Sequence, residues 1–544
     1  MRRTLAFASL LGAIGALAMF TGTARADAGE YGNTTCQMRA FLCIDPYHSI
    51  GYDGAYTGHD EPSLLFTSHR PGTGNDLTYK LQLPRESSVP PNQANTGGTW
   101  NFMRRATFWF GLSMCDTQSS PNFRHTCKPD SDANARYRSL NPKSPFYIGK
   151  APGNAYMELQ FYEPGWVPQW NGFGCGAHTY CAAMTIDSLS DQDNTGVQQN
   201  ASCLNLAPIG GEEPINWAYI TKSGKSQAPA NPLAVSKDPN LTALFPDYKK
   251  DLVMHPGDWI VIHMHDTPAG FRVDIFDKTT HQHGSMTASI ANGFGHLLFQ
   301  PKATTCHERP YAFHPEFSSA VKRGSTWGAH TYNVAFSDEI GHFEFCNAID
   351  PNTGACTSPG GADNVLDEDD QFCLPASLSS LFPITGCTLD DGDFDSPSYQ
   401  NDWPGSWKNP RQDRKWHGAP VLFTSPTTNG RTLEHAAFEV DLPRIERGEP
   451  GNVNPQCDGA TGAHCHNPPI GANFYPIFTT THVNGSCIWQ FGGAHLPNTT
   501  RTFGGNSTAE YGHLLKVGYA DVGFKPIFLY EDYHRDLGAN PCPA

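Results

Sequence analysis

Gly257–Thr280 reads GDWIVIHMHDTPAGFRVDIFDKTT, and its alternation decides the fold class. A strand turns successive side chains to opposite faces. Over Trp259–His265 that sets Ile260, Ile262 and Met264 on one face and Trp259, Val261, His263 and His265 on the other. Thr267-Pro268-Ala269-Gly270 carries turn chemistry, so the stretch predicts two antiparallel strands joined by a tight turn. One face is ordinary core. The other holds two neighbouring histidines, which a core has no reason to select.

The same rhythm runs outward from this hairpin. The chain has 53 glycines and 43 prolines in 544 residues, 12% aromatic and only 17% charged residues. Short apolar or alternating runs recur between Gly, Pro, Asn and Asp, and long helical periodicities are scarce, which predicts an all-β protein. Strands are expected at Ser63–Thr67, Thr78–Leu83, Thr107–Ser113, Ala155–Tyr162, Thr179–Asp187, Trp259–His265, Phe271–Phe276, Ser285–Ile290 and Gly295–Phe299. A short helix is expected at Asp247–Met254. The expected architecture is a large concanavalin-like or jelly-roll sandwich over 27–346, an acidic Gly-rich linker over 347–386, and a second, smaller β-domain over 387–544. Pro62–Glu86 and Pro420–Glu446 share LFTS and LPR blocks at similar separations, the pattern of a diverged repeat.

Residues 1–26 have the form of a secretion signal. Arg2 and Arg3 precede an apolar run from Leu5 to Phe20, and Ala24-Arg25-Ala26 fits a cleavage site. A secreted, extracellular protein without membrane insertion is expected. The formal net charge of −16 argues against nucleic acid as a partner. All 16 cysteines lie beyond the signal, and their even number in an oxidising compartment predicts structural disulfides. Close pairs such as Cys175/Cys181, Cys346/Cys356 and Cys457/Cys465 are candidates.

A second strand, AYMELQFY (Ala155–Tyr162), splits as the hairpin does. Met157, Leu159 and Phe161 share one face, and Tyr156, Glu158, Gln160 and Tyr162 share the other. If the two strands belong to one sheet, Glu158, Gln160, His263, His265, Arg272 and Asp274 line one polar-aromatic surface. Tyr156, Tyr162, Trp259, Arg272 and Asp274 are then its binding residues, and an extracellular peptide or glycan is the expected partner.

The aromatic-flanked Glu strand, the Gly257-Asp258-x-Ile260-x-Ile262 strand, Gly270, and the strand Val273-x-Ile275 ending at Thr279-Thr280 resemble the glutamic peptidases, or eqolisins. The resemblance covers roughly Trp109–His314. It implies a concanavalin-like sandwich and acid-pH peptide cleavage by a Glu and a Gln. Glu158, which has Tyr156 two residues before it, matches the catalytic Glu by its place in the strand. Gln118 is the nearest counterpart of the catalytic Gln. In that reading Glu158 is the general base on water and a glutamine stabilises the oxyanion.

His263-x-His265 also suits one metal ion, and with Glu158 it makes a two-His, one-carboxylate set. Gly257-x5-His263-x-His265 resembles the start of the cupin metal motif, although Ala269 and Gly270 stand near where the cupin Glu belongs. His281-Gln-His283 with Met286 offers further ligands, and a His-x-His plus Met set resembles the copper monooxygenases of the peptidylglycine-hydroxylating type. Asp391, Asp393, Asp395 and Asp402 have the spacing of a calcium loop, with Ser396 where the Gly should be. His314, His330 and His342 are expected to be hydrogen-bonded structural histidines.

No Gly-x-Ser-x-Gly elbow, His-Glu-x-x-His helix or phosphate-binding loop occurs, so serine hydrolase, zincin and NTPase readings drop out. Three classes remain. One is a secreted sandwich that engages a peptide or glycan polymer, by binding or by Glu-dependent hydrolysis, with no cofactor required. Another is a copper- or iron-dependent oxidoreductase at His263 and His265. The last is a purely structural secreted protein.

Overall fold

The computed structural model describes residues 63–83, 108–116, 153–162, 175–188, 215–298, 303–315, 326–331, 346–349, 356–359, 421–441, 478–491, 513–520 and 526–543, apart from 69, 71–73, 177 and 241. Residues 1–26, Gln118, Asp391, Asp393, Asp395 and Asp402 lie outside the described residues.

In chain order the strands are β1 (Ser63–Thr67), β2 (Asp76–Gln82), β3 (Phe108–Asp116), β4 (Gly153–Tyr162), β5 (Cys181–Ser188) and β6 (Ile215–Tyr219). The short helix α1 (Pro232–Lys237) follows, started by Asn231, whose side chain accepts the Ala234 N–H. Next come β7 (Trp259–Thr267), β8 (Gly270–Asp277), β9 (Gln282–Thr287), β10 (Gly295–Leu297), β11 (Glu308–Pro310), β12 (His314–Pro315) and β13 (Thr326–Thr331). The remainder are β14 (Cys346–Ile349), β15 (Cys356–Pro359), β16 (Leu422–Phe423), β17 (Thr427–Thr428), β18 (Arg431–Thr432), β19 (His435–Asp441), β20 (Phe478–Val483), β21 (Ser486–Phe491), β22 (His513–Ala520) and β23 (Pro526–Ala539).

The protein is all-β, as the alternation predicts, and its strands pair antiparallel. A 10-stranded sheet runs β22-β23-β19-β1-β13-β3-β4-β5-β6, with β12 beside β3. A 9-stranded sheet runs β20-β21-β16-β2-β7-β8-β9, with β17 beside β2 and β18 beside β17. One apolar core joins them. It takes Phe110, Met157 and Leu159 from the first sheet and Tyr79, Ile262 and Met264 from the second. Tyr79 meets Phe110 across the gap at 4.2 Å, and Phe66 meets Trp489 edge-on at 5.9 Å. Each such buried side chain contributes about 1.5–3 kcal/mol.

Two expectations change here. Among the described residues, the strands from 421 onward join the same two sheets as the earlier ones. β19 pairs with β1, from Ser63↔Glu439 to Thr67↔His435, and β16 pairs with β2 at Phe423↔Tyr79. The two segments with the repeated LFTS and LPR blocks therefore lie side by side, each contributing to both sheets. Asp247–Met254 is not a helix. Its first half is a turn, and then Leu252 N–H reaches Ile220 O at 2.9 Å and Met254 N–H reaches Tyr180 O at 2.9 Å, which spends those donors on cross-chain pairing. Among the described cysteines, Cys175–Cys181 form the expected local bridge, and Cys487–Cys542 form a second.

Candidate functional site

The β7–β8 hairpin is closed at its tip by two residues, Pro268 and Ala269. The Thr267 hydroxyl bonds Gly270 O at 2.6 Å. Gly270 sits at φ +132°, and a Cβ there would stand 2.3 Å from Ala288 O, so the position admits only glycine. At the other end Asp277 accepts the Thr279 and Thr280 N–H groups at 2.8 and 3.0 Å, and Thr279 Oγ1 accepts the Trp259 N–H at 2.8 Å. Both ends of the hairpin are pinned, which holds its middle rigid.

The register then sets the outer face of the nine-stranded sheet in rows. Thr78, His263, Asp274 and Ser285 lie across β2, β7, β8 and β9, with Asp76, His265, Arg272 and Thr287 in the next row. Ile260, Ile262 and Met264 fill the core behind them. The His263 and His265 rings stack at 4.3 Å, 11° from parallel. His265 Nε2 is 3.1 Å from Asp274 Oδ2, and His283 Nε2 is 3.0 Å from Asp274 Oδ1. Arg272 donates to the two Asp274 oxygens at 2.7 Å each. His263 Nε2 lies 3.2 Å from Asp76 Oδ2. Burial alone would raise the Asp274 pKa, but the hydrogen bonds from Arg272, His265 and His283 outweigh it and hold the carboxyl far below the usual range.

One donor atom each from His263, His265 and Asp274 falls within 4.8 Å of the others. The carboxylate beside the histidines is thus Asp274, expected from the sequence as a binding residue, and not Glu158. Asp76 was not foreseen, because nothing local to it signals that β2 lies beside β7. Met286 is in the core and cannot join, since its neighbours in β9 alternate away from it. His281 is exposed in the β8–β9 turn at φ +60°. His314 is tied to Asp266 by a 2.8 Å bond, a structural role.

The expected common surface with Glu158 does not form. Glu158 and Gln160 are on β4, in the other sheet, and their core-facing neighbours Met157, Leu159 and Phe161 pack toward the nine-stranded sheet. Glu158 and His263 therefore stand on opposite outer faces of the protein. On its own face, Gln160 Nε2 donates to Glu158 Oε2 at 2.6 Å, and the Tyr162 hydroxyl donates to Gln160 Oε1. Tyr162 stacks with Trp217 at 5.8 Å. The Tyr219 hydroxyl next to them donates to Leu244 O at 2.9 Å, so the segment around Leu244 lies over this face. All of these groups are buried. Tyr156 takes its place in β4 opposite Ser113 and Asp187.

The half-buried Trp259 continues the outer face of the nine-stranded sheet beyond the histidines. Lys80 Nζ lies 5.3 Å above its ring, and Lys278 Nζ lies 5.3 Å above the ring of Phe276. No protein-family model, curated protein or solved structure matches the chain.

Proposed function

We propose that the protein is a secreted, metal-dependent β-sandwich whose working centre is a divalent transition-metal ion held by His263, His265 and Asp274. One observation supports this above all: three donor atoms within 4.8 Å of each other on a half-exposed sheet face. Metal–donor bonds of about 2.0–2.1 Å put neighbouring donors of one ion about 3.0–3.4 Å apart. The 3.1 Å between His265 Nε2 and Asp274 Oδ2 has that spacing. Two imidazoles and one carboxylate suit iron, copper or zinc better than calcium or magnesium. Arg272 and His283 bond the Asp274 oxygens and would orient the carboxylate, as outer partners of a metal ligand do. Three protein ligands leave coordination positions for water or substrate, which serves oxidoreductase chemistry with copper or iron and hydrolysis with zinc.

Calorimetric titration of the chelator-treated protein with zinc, copper, iron and manganese tests the proposal. The expected result is one site that takes at least one of these ions. His263→Ala, His265→Ala and Asp274→Asn should each weaken it by about 10–100-fold or more. Absence of stoichiometric binding of all four ions sinks the reading.

A second reading keeps Glu158 as a general base, supported by the 2.6 Å Gln160–Glu158 pair on a buried strand. It requires Glu158→Gln to abolish hydrolysis of a protein or glycan. Full activity of that variant rules it out.

A further inference from the structure

We infer that the rows beside the metal cluster bind an acidic polysaccharide, one that carries carboxylates on its sugar units. The next row outward from His263 is Lys80, Val261, Phe276 and His283, and beyond it lie Gln82, Trp259 and Lys278. The inference goes beyond the metal centre and stands whether or not a metal binds.

Charge is the first ground. The chain carries −16 overall, yet these two rows hold two lysines and no acid. Neither lysine has an ion pair among the described residues, and each ammonium is parked over an aromatic ring at 5.3 Å. A cation held on a ring face is partly stripped of water and fixed in direction, so it is ready for an anion. The acids nearby are already engaged, Asp274 by Arg272 and Asp76 by His263.

Shape is the second ground. Phe276 keeps 38% of its surface exposed in the middle of a sheet, which is unusual for a ring this size. Strands β7 and β8 are interior, flanked by β2 and β9, so their backbone donors and acceptors are already paired. An extended peptide that adds itself as a strand needs an open edge, and at β9, the edge strand beside β8, Thr221 already pairs with Ser285 through two backbone bonds of 2.8 and 3.2 Å. Recognition must come from side chains on a broad face. The rings offer apolar area beside the lysines for sugar rings to pack on, and the ammonium groups over their faces meet a carboxylate on each unit. Nucleic acid also stacks and carries charge, but two lysines on a strongly acidic chain are a poor electrostatic footprint for it.

The test is calorimetry on the whole protein with a uronate oligosaccharide, a neutral glucose oligosaccharide of equal length, polyglutamate and single-stranded DNA. Only the uronate should bind, with affinity falling as salt rises from about 50 to 200 mM. Lys80→Ala with Lys278→Ala should weaken it by about tenfold or more, and Trp259→Ala by a similar factor. His263→Ala with His265→Ala should leave it within about twofold while removing metal binding, so the two readings fail separately. Equal binding of the neutral sugar, tighter binding of polyglutamate or DNA, or an unchanged affinity in the lysine variant overturns the inference. So does a uronate that does not bind the wild-type protein.

Discussion

The two sheets carry polar outer faces of opposite kinds. On β4–β6, Glu158, Gln160 and Tyr162 form a buried chain of hydrogen bonds under the segment around Leu244. On β7–β9, His263, His265 and His283 cluster round Asp274 and stay half-exposed. Both faces arise from the same alternation of residues, and both contain a buried carboxylate. What separates them is what lies above. A covered polar layer must satisfy its own hydrogen bonds, so its residues act chiefly on stability. An uncovered one keeps donors that a ligand can use. The difference turns a residue-level likeness between Glu158 and His263 into two distinct roles, and it can be attacked from either side.

The largest expected effect comes from the backbone that carries the open face. Gly270→Ala forces a Cβ to within 2.3 Å of Ala288 O at a φ of +132°. A loss of about 4 kcal/mol in urea unfolding, or failure to fold, is expected. A loss under about 1 kcal/mol would show that the hairpin tip yields, and that the face is less rigid than its bonding implies.

Next comes the covered face. Glu158→Ala removes the acceptor of a 2.6 Å buried bond and leaves the Gln160 amide unpaired there. About 3 kcal/mol of destabilisation is expected by chemical denaturation, with metal binding unaffected. Altered metal affinity in this variant would mean that the two faces are coupled through the core.

The faces themselves were legible in the sequence, because period two is a local property. Ile260, Ile262 and Met264 are core, and the histidines face outward, as the alternation requires. Strand neighbours are not local. Asp76 reaches His263 from 187 residues away, and nothing near either residue announces it. The same blindness put Glu158 beside the histidines, since two strands of like pattern carry no mark of which sheet they join. The acidic, Gly-rich stretch before Gly386 looked like a domain boundary, but β19 returns to pair with β1. Disulfides follow the rule too. The six-residue separation of Cys175 and Cys181 was readable, and the 55-residue separation of Cys487 and Cys542 was not.

The cover of the closed face has its own titration. Asp251 is fully buried in it, and burial pushes its carboxyl up to about 7 against the Asp247 N–H that donates to it at 2.7 Å; the Asp247 charge adds to the rise, and Lys250 and Lys222 oppose it. Tyr219 and Tyr248 face the same group. The unfolded carboxyl ionises near pH 4, whereas the folded one keeps its proton until about pH 7. Stability is therefore lost as pH rises from about 4 to 7 and stays lost above. Asp251→Asn should flatten that slope and gain about 2 kcal/mol at pH 8, measured by denaturation across pH. Curves that run parallel for the two proteins would show that Asp251 is charged when folded.

The smallest effect is the one that divides the faces most cleanly. His263 touches little that is buried: it stacks on His265 and meets Asp76, whose side chain is half-exposed. Exposed ion pairs contribute about 0–1 kcal/mol. His263→Ala in the presence of chelator should therefore cost less than about 1 kcal/mol, although the same change should strip metal affinity. A residue that matters to a ligand and hardly to the fold has been placed for the ligand. If His263→Ala instead destabilises the metal-free protein as much as Glu158→Ala does, the half-exposed histidines are a structural layer like the covered one. The contrast between the sheets would then collapse, and the proposed metal centre would lose the open surface on which it depends.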